Sequence, residues 1–162
     1  MLEEILISNE SSNFFKLFVS ENNKPKPIRI FINNIILPFG LEEYKNKYII
    51  NFELNDKKSS KEYEKLIRLI EKNISNLIEV DNIDIRSVFY KRNNLPILCR
   101  GYVNKNRNKI ITIYKDKYNN EISLFDLKMK EIYNLELEVS GIWKYGNQAG
   151  LYIKIISIKN NN

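Results

Sequence analysis

The stretch KYIINFELNDKKSSKEYEKLIRLIEKNISNLI, residues 47–78, changes its hydrophobic period partway along, and that change decides the fold class. Tyr48, Ile50, Phe52 and Leu54 alternate with Lys47, Ile49, Asn51 and Glu53, the period of a strand with one strongly apolar face. From Ser59 the spacing becomes three and four. Tyr63, Leu66, Ile67, Ile70, Ile74, Leu77 and Ile78 form an apolar stripe, with Lys61, Lys65, Arg68, Glu71 and Lys72 elsewhere on the surface. Ser59 and Glu62 have capping-box spacing, and Glu64 and Arg68 can pair across one turn. This is the one convincing helix, and its stripe is expected to cover a sheet rather than hold a partner helix.

Upstream, Ile5–Ile7 and Phe14–Val19 are short apolar runs, the second read as a strand. Glu21–Pro27, ENNKPKP, is a turn or linker, because each proline removes a backbone donor and fixes its own dihedral. Ile28–Leu37 is an isoleucine-rich strand that breaks at Pro38-Phe39-Gly40. PFGLEEYKNK then connects it to the next strand, with Asn46 as a turn residue.

Downstream, Pro96–Val103 alternates, with Ile97, Cys99, Gly101 and Val103 facing one way and Leu98, Arg100 and Tyr102 the other. Lys109–Lys115 is a strand entered from the polar hairpin tip Asn104–Asn108. Lys115–Asn120 reads as a turn and Phe125–Met129 as a helical turn. Leu135–Tyr145 and Leu151–Ile158 are long strands joined by Gly146–Gly150. There is no internal repeat and no alternating βαβ unit. The chain is therefore mainly β with one amphipathic helix, an antiparallel sheet closed into a small barrel with the helix across one opening. Its 162 residues fit a single domain, with 1–27 an N-terminal extension contributing at most a strand and 159–162 a frayed tail.

Charge is unevenly spread. Residues 81–118 hold nine Lys or Arg against three Asp, which accounts for the whole net charge of +6 and leaves the remainder balanced. An A- and T-rich genome would enrich lysine and tyrosine along the whole chain, so the clustering carries more weight than the content. Phe89, Tyr90, Tyr102, Tyr114 and Tyr118 are threaded through the basic stretch. Cations follow phosphates and flat rings stack on unpaired bases, so the pattern points to single-stranded nucleic acid.

Other chemistries find little support. Histidine is absent and there is one cysteine, so the commonest general base, a cysteine-built zinc site and any intramolecular disulfide are excluded. No phosphate-cradling glycine loop occurs. The acidic pairs Glu42-Glu43 and Glu136 with Glu138 are read as solvated, and Cys99 as a small buried hydrophobe. No enzyme activity, cofactor or metal is expected. The N-terminus lacks a signal-peptide pattern and no apolar run approaches a membrane span, so a soluble intracellular protein is expected.

Leu37–Leu54 (LPFGLEEYKNKYIINFEL), the helix that follows it and Leu135–Ile158 (LELEVSGIWKYGNQAGLYIKIISI) together resemble the OB-fold single-stranded-DNA-binding proteins of large nucleocytoplasmic DNA viruses, a group similar to certain phage replication proteins. The resemblance spans residues 28–158 through pattern and segment order. It implies an OB-fold-like barrel with extra strands that coats unpaired DNA in replication, recombination or repair, in the host cytoplasm or nucleus. Replication proteins and a second copy of the chain are the further partners it leaves open. Phage-type relatives end in an acidic tail that recruits replication partners, whereas this sequence ends Lys159-Asn160-Asn161-Asn162. Either that tail is missing or recruitment works differently. The usual OB helix follows the third strand, an order that holds here only if Phe14–Val19 is the first.

Arg100 and Tyr102 are the leading site residues, because parity puts a cation and a ring side by side opposite Ile97, Cys99 and Val103. Lys105, Arg107 and Lys109 sit in or beside the hairpin tip and can close over a strand. Tyr90, Lys91 and Arg92 extend the basic path. Tyr114 and Lys115 point to opposite faces, so at most one shares the site. Lys144 and Tyr152 are secondary candidates, as are Tyr44 and Lys47. Trp143 falls in parity with Leu135, Leu137 and Val139, which favours burial. RNA presents much the same phosphates and rings and stays an alternative, as does a protein-interaction module whose basic surface meets an acidic protein.

Overall fold

A computed structural model describes residues 4–161 of the chain. In chain order the strands are β1 (Ile5–Ser11), β2 (Phe14–Glu21), β3 (Lys24–Lys26), β4 (Ile28–Ile36), β5 (Leu41–Tyr44) and β6 (Lys47–Glu53). The helices α1 (Lys58–Lys72) and α2 (Ile74–Ile78) follow. Then come β7 (Asp84–Arg86), β8 (Phe89–Arg92), β9 (Leu95–Val103), β10 (Lys105–Asn106), β11 (Lys109–Ile110), β12 (Ile113–Lys115), β13 (Glu121–Ile122), β14 (Ile132–Tyr145) and β15 (Gln148–Asn160). Among the described residues no helix is long and apolar enough to cross a membrane.

Five strands close a ring, β14–β4–β6–β9–β15 and back to β14. A ring with an odd number of strands cannot alternate direction all the way round, so at least one junction must be parallel. It is β9–β15, where Tyr102 and Val103 pair with Lys154 and Ile155. The other junctions are antiparallel. The barrel expected from the sequence is correct except at this seam. β15 pairs with β14 along one edge and takes β7, β9 and β12, all parallel, along the other. A Cβ on Gly101 would lie 2.6 Å from the Ile155 side chain, so a larger residue there would push the seam apart.

The helix lies between the second and third ring strands in chain order, so Phe14–Val19 is not the first ring strand. It forms β2, which pairs with β14 at Gly141–Trp143, on the edge that β4 leaves free beyond Val139. β1 and β3 flank β2. The N-terminal extension is thus a three-stranded meander added to the barrel.

Several connections are shorter than expected. Leu41–Tyr44 is a strand, and the turn before β6 is only Lys45-Asn46, both at positive φ. Lys24–Lys26 is likewise paired after a turn at Asn22-Asn23. Gly150 lies within β15, leaving Gly146-Asn147 as the tight turn. Lys109–Lys115 is interrupted at Ile111-Thr112, where the Thr112 hydroxyl donates to the Ile155 carbonyl at 2.6 Å and accepts from the Asn104 amide at 2.7 Å. The tail is not frayed as far as it is described. Lys159 and Asn160 continue β15, and the Asn161 amide donates to the Ile132 carbonyl at 2.9 Å. Asn162 lies outside the described residues.

Inside the ring, Ile50, Phe52, Leu135, Leu137 and Ile155 meet Tyr63, Ile67, Ile70 and Ile74 of the helices, all essentially inaccessible. The helical stripe therefore plugs the barrel as the spacing predicts. The capping box does not form. The Ser59 hydroxyl accepts from the Asn33 amide at 3.0 Å and the Ser60 hydroxyl from the Asn55 amide at 2.9 Å, tying the helix start to the strand ends. Glu64 and Arg68 do pair, at 2.7 Å.

Glu71 is buried rather than on the surface. Its carboxylate accepts from the Val88 amide and the Ser87 hydroxyl, each at 2.9 Å, so α1 holds the connection between β7 and β8. Burial pushes its pKa up, against the opposing pull of those two donors. An acid raised in the folded state adds stability below its ordinary pKa and loses it as pH rises through the raised value. Urea midpoints of wild type and Glu71→Gln are therefore expected to diverge in favour of the variant as pH rises from the ordinary carboxylate pKa, then run parallel. A constant difference at every pH would contradict this.

Candidate nucleic-acid interface

The candidate interface lies on the outer face of the seam. On β9, Cys99 and Val103 are buried while Arg100 and Tyr102 face outward, as parity predicts. Tyr102 stacks on Tyr152 of β15, with centroids 4.5 Å apart and planes 10° from parallel. Lys47, at the start of β6, places its ammonium 5.5 Å from one ring and 5.4 Å from the other. Phe14 of β2 meets Tyr152 edge-on at 6.2 Å and lies over Gly141, where a Cβ would fall 2.5 Å from the ring. The added meander thus reaches the site.

Trp143 also belongs to this face. A β-bulge between Val139 and Gly141 reverses the parity of β14, so Gly141 pairs with Tyr152 and Trp143 with Gly150. The half-buried indole lies over Gly150, where a Cβ would fall 2.8 Å from it. Core burial, expected from unbroken alternation, is corrected by the bulge.

Arg100 is held between two rings, its guanidinium carbon 4.6 Å from the Tyr44 centroid and 5.1 Å from that of Tyr90. With Lys45, Lys47, Arg86, Tyr102 and Trp143 these residues line a cavity of about 320 Å³ that has no Asp or Glu in its wall. A second, of about 370 Å³, shares Lys47 and adds Tyr48, Lys105, Arg107, Tyr152 and Lys154, again without a carboxylate. A third, also of about 370 Å³, shares Tyr152 and Lys154 and runs to Phe14, Lys16 and Phe18. Acidic residues enter only there, as Glu10 and Glu138. Burial pushes the Tyr90 and Tyr152 phenols up, so both rings stay neutral at ordinary pH.

The candidates sort accordingly. Tyr90, Arg100, Tyr102 and Tyr152 converge, and Lys105 and Arg107 line the adjoining cavity. Lys109 lies beyond them, with Lys105 and Phe125 around another cavity. Lys91 is exposed on β8. Arg92 is engaged elsewhere, 3.2 Å from Glu53 and 2.8 Å from the Pro96 carbonyl. Tyr114 is in the core against Tyr133, so of that pair only Lys115 is partly open to solvent. Lys144 pairs with buried Ala149, on the face opposite Trp143, and donates to the Gly146 carbonyl at 2.9 Å. Tyr44 and Lys47, secondary in the sequence, are central. Arg86 lies within the basic stretch 81–118, where pattern alone does not separate it from its neighbours, whereas Lys154, Tyr48 and Phe14 come from outside it and only the register brings them here.

Elsewhere the polar groups have structural partners. Arg29 holds Glu136 at 3.0 Å and Glu138 at 2.9 Å, so this pair is not simply solvated. Glu42 accepts from the Asn51 amide group at 2.9 Å. Buried Cys99 lies 3.2 Å from the Tyr63 hydroxyl, and burial pushes its thiol well up. Among the described residues no group of His, Cys, Asp or Glu is arranged to hold a metal ion.

No family model and no curated protein sequence matches this chain. Its fold is similar to that of the single-stranded DNA-binding protein from bacteriophage Enc34, with a TM-score of 0.62 and 8% identity over 98% of this chain and 89% of that one. The structure of that phage protein in complex with ssDNA gives 0.60 and 8% identity, over 99% and 96%. Bacteriophage T7 gp2.5, also a single-stranded DNA-binding protein, gives 0.57 and 8% identity, over 83% and 86%. The chain thus has the OB-like barrel fold seen in phage single-stranded DNA-binding proteins.

Proposed function

We propose that this protein binds single-stranded DNA without sequence preference and coats it during viral replication, recombination or repair. The observation that carries the proposal is the carboxylate-free path where Arg100, Lys47 and Lys105 flank the Tyr102–Tyr152 stack. Every base has a π-face and every nucleotide a phosphate, so this combination takes a single strand of any sequence, whereas a duplex hides its base faces. The fold likeness to the phage proteins supports the reading. The sequence resemblance extends it to a large nucleocytoplasmic DNA virus, acting where its host replicates viral DNA, with replication proteins or further copies as partners. Competition of unlabelled DNA and RNA oligonucleotides against labelled oligo-dT tests the proposal. DNA is expected to compete better. Stronger competition by RNA would make this an RNA-binding barrel, and no complex even at low salt would leave the acidic-protein reading.

A further inference from the structure

We propose that the cavity between the β5–β6 hairpin and the β7–β8 connection is a phosphate seat, with Arg100 as its fixed anion ligand. This deepens the single-stranded-DNA reading and rests on it for the source of the phosphate, but not for the anion chemistry. Three observations carry it. First, the guanidinium lies between the Tyr44 and Tyr90 rings, 4.6 and 5.1 Å from their centroids, so less side-chain freedom is left to lose when it takes an oxyanion. Second, Arg100 Nε is the one buried side-chain nitrogen or oxygen among the described residues without a hydrogen-bond partner. Buried donors are nearly always satisfied, so an orphan on a cavity-lining side chain calls for an explanation, and an anion drawn to this guanidinium supplies one. Third, Arg86, Lys45 and Lys47 surround the same cavity and no carboxylate lines its wall, the Asp84 carboxylate that pairs with Arg86 at 3.1 Å lying outside it.

The site thereby divides its labour. The Tyr102–Tyr152 stack serves bases, while the Arg100 cavity serves a phosphate, either an internal diester or a terminal monoester. Trp143, the chain's single tryptophan, lines the cavity and reports on it without any DNA.

Titration with pyrophosphate at constant ionic strength is expected to change Trp143 fluorescence saturably in wild type and in Tyr152→Ala. The response should be lost in Arg100→Gln and weakened in Arg86→Gln, whose exposed position leaves the fold intact. Each phosphate neutralised on a single strand adds about 0.7 to the log–log salt slope, so Arg100→Gln should lower the oligo-dT slope by about that amount. Tyr152→Ala should leave the slope unchanged. A tighter complex with 5′- or 3′-phosphorylated than with unphosphorylated oligo-dT, abolished in Arg100→Gln, would identify the terminal monoester. Equal affinities would identify the diester. No fluorescence response together with an unchanged slope in both Arg100→Gln and Arg86→Gln would overturn the seat while leaving single-strand binding standing. A pyrophosphate response in a protein that binds no oligonucleotide would do the reverse.

Discussion

Replacing Tyr102 and Tyr152 together with alanine is expected to weaken binding to oligo-dT by roughly 30-fold or more. Stacking on an aromatic ring is worth ~1–3 kcal/mol per base, so two platforms contribute at least ~2 kcal/mol. The rings lie 4.5 Å apart and nearly parallel, so their inner faces satisfy each other and a base must stack from outside the pair. Because the loss is of stacking and not of charge, the salt slope should stay at its wild-type value. The Tyr102→Phe, Tyr152→Phe double variant keeps both π-faces and should bind nearly as wild type. Melting curves separate the effect from unfolding, since both residues are only half-buried. Unchanged affinity in a folded double-alanine variant would reduce the stack to surface packing.

Phe52→Ala is expected to have the largest effect on stability. Phe52 is inaccessible inside the ring, with its centroid 5.8 Å from that of Tyr63 on α1, so it joins the barrel wall to the helical plug. A Cβ on Gly101 would lie 3.6 Å from its ring, which shows how closely the seam packs on it. Deleting a buried phenyl removes its transfer energy and leaves a cavity, for a typical loss of ~3–5 kcal/mol. Against a total of about 5–15 kcal/mol, that is a large fraction. The urea midpoint should fall sharply with little change in slope. A loss below about 1 kcal/mol would mean that the helix does not seal the barrel as described.

The fold was legible where one residue's neighbours follow from local period. Alternation in β6 and β9 placed Phe52 inside and put Arg100 and Tyr102 on the outer face. The three-and-four spacing made Tyr63, Ile67 and Ile70 the plug. What the sequence hid is non-local. Leu135, Leu137, Val139, Gly141 and Trp143 alternate without interruption, and the bulge at Ser140 falls where β14 changes partner from β4 to β2. Trp143 was misplaced for that reason alone. Glu71 looked solvent-facing because its partners, Ser87 and Val88, come from a connection after the helix. Tyr114 lay inside the basic stretch, yet parallel pairing of β12 with β15 sends it into the core. The charge surplus pointed to one part of the chain, while the register decides which of its residues converge.

The outer face of the seam is proposed to recognise unpaired bases as well as phosphates. An anisotropy titration with oligo-dT and a matched-length duplex at two salt concentrations separates the two contributions. Tighter binding of the single strand at both salts is expected, with the preference widening as salt screens the phosphate contacts the two ligands share. Equal affinity for single strand and duplex, falling together with salt, would contradict the account and leave a basic surface without a base-stacking site.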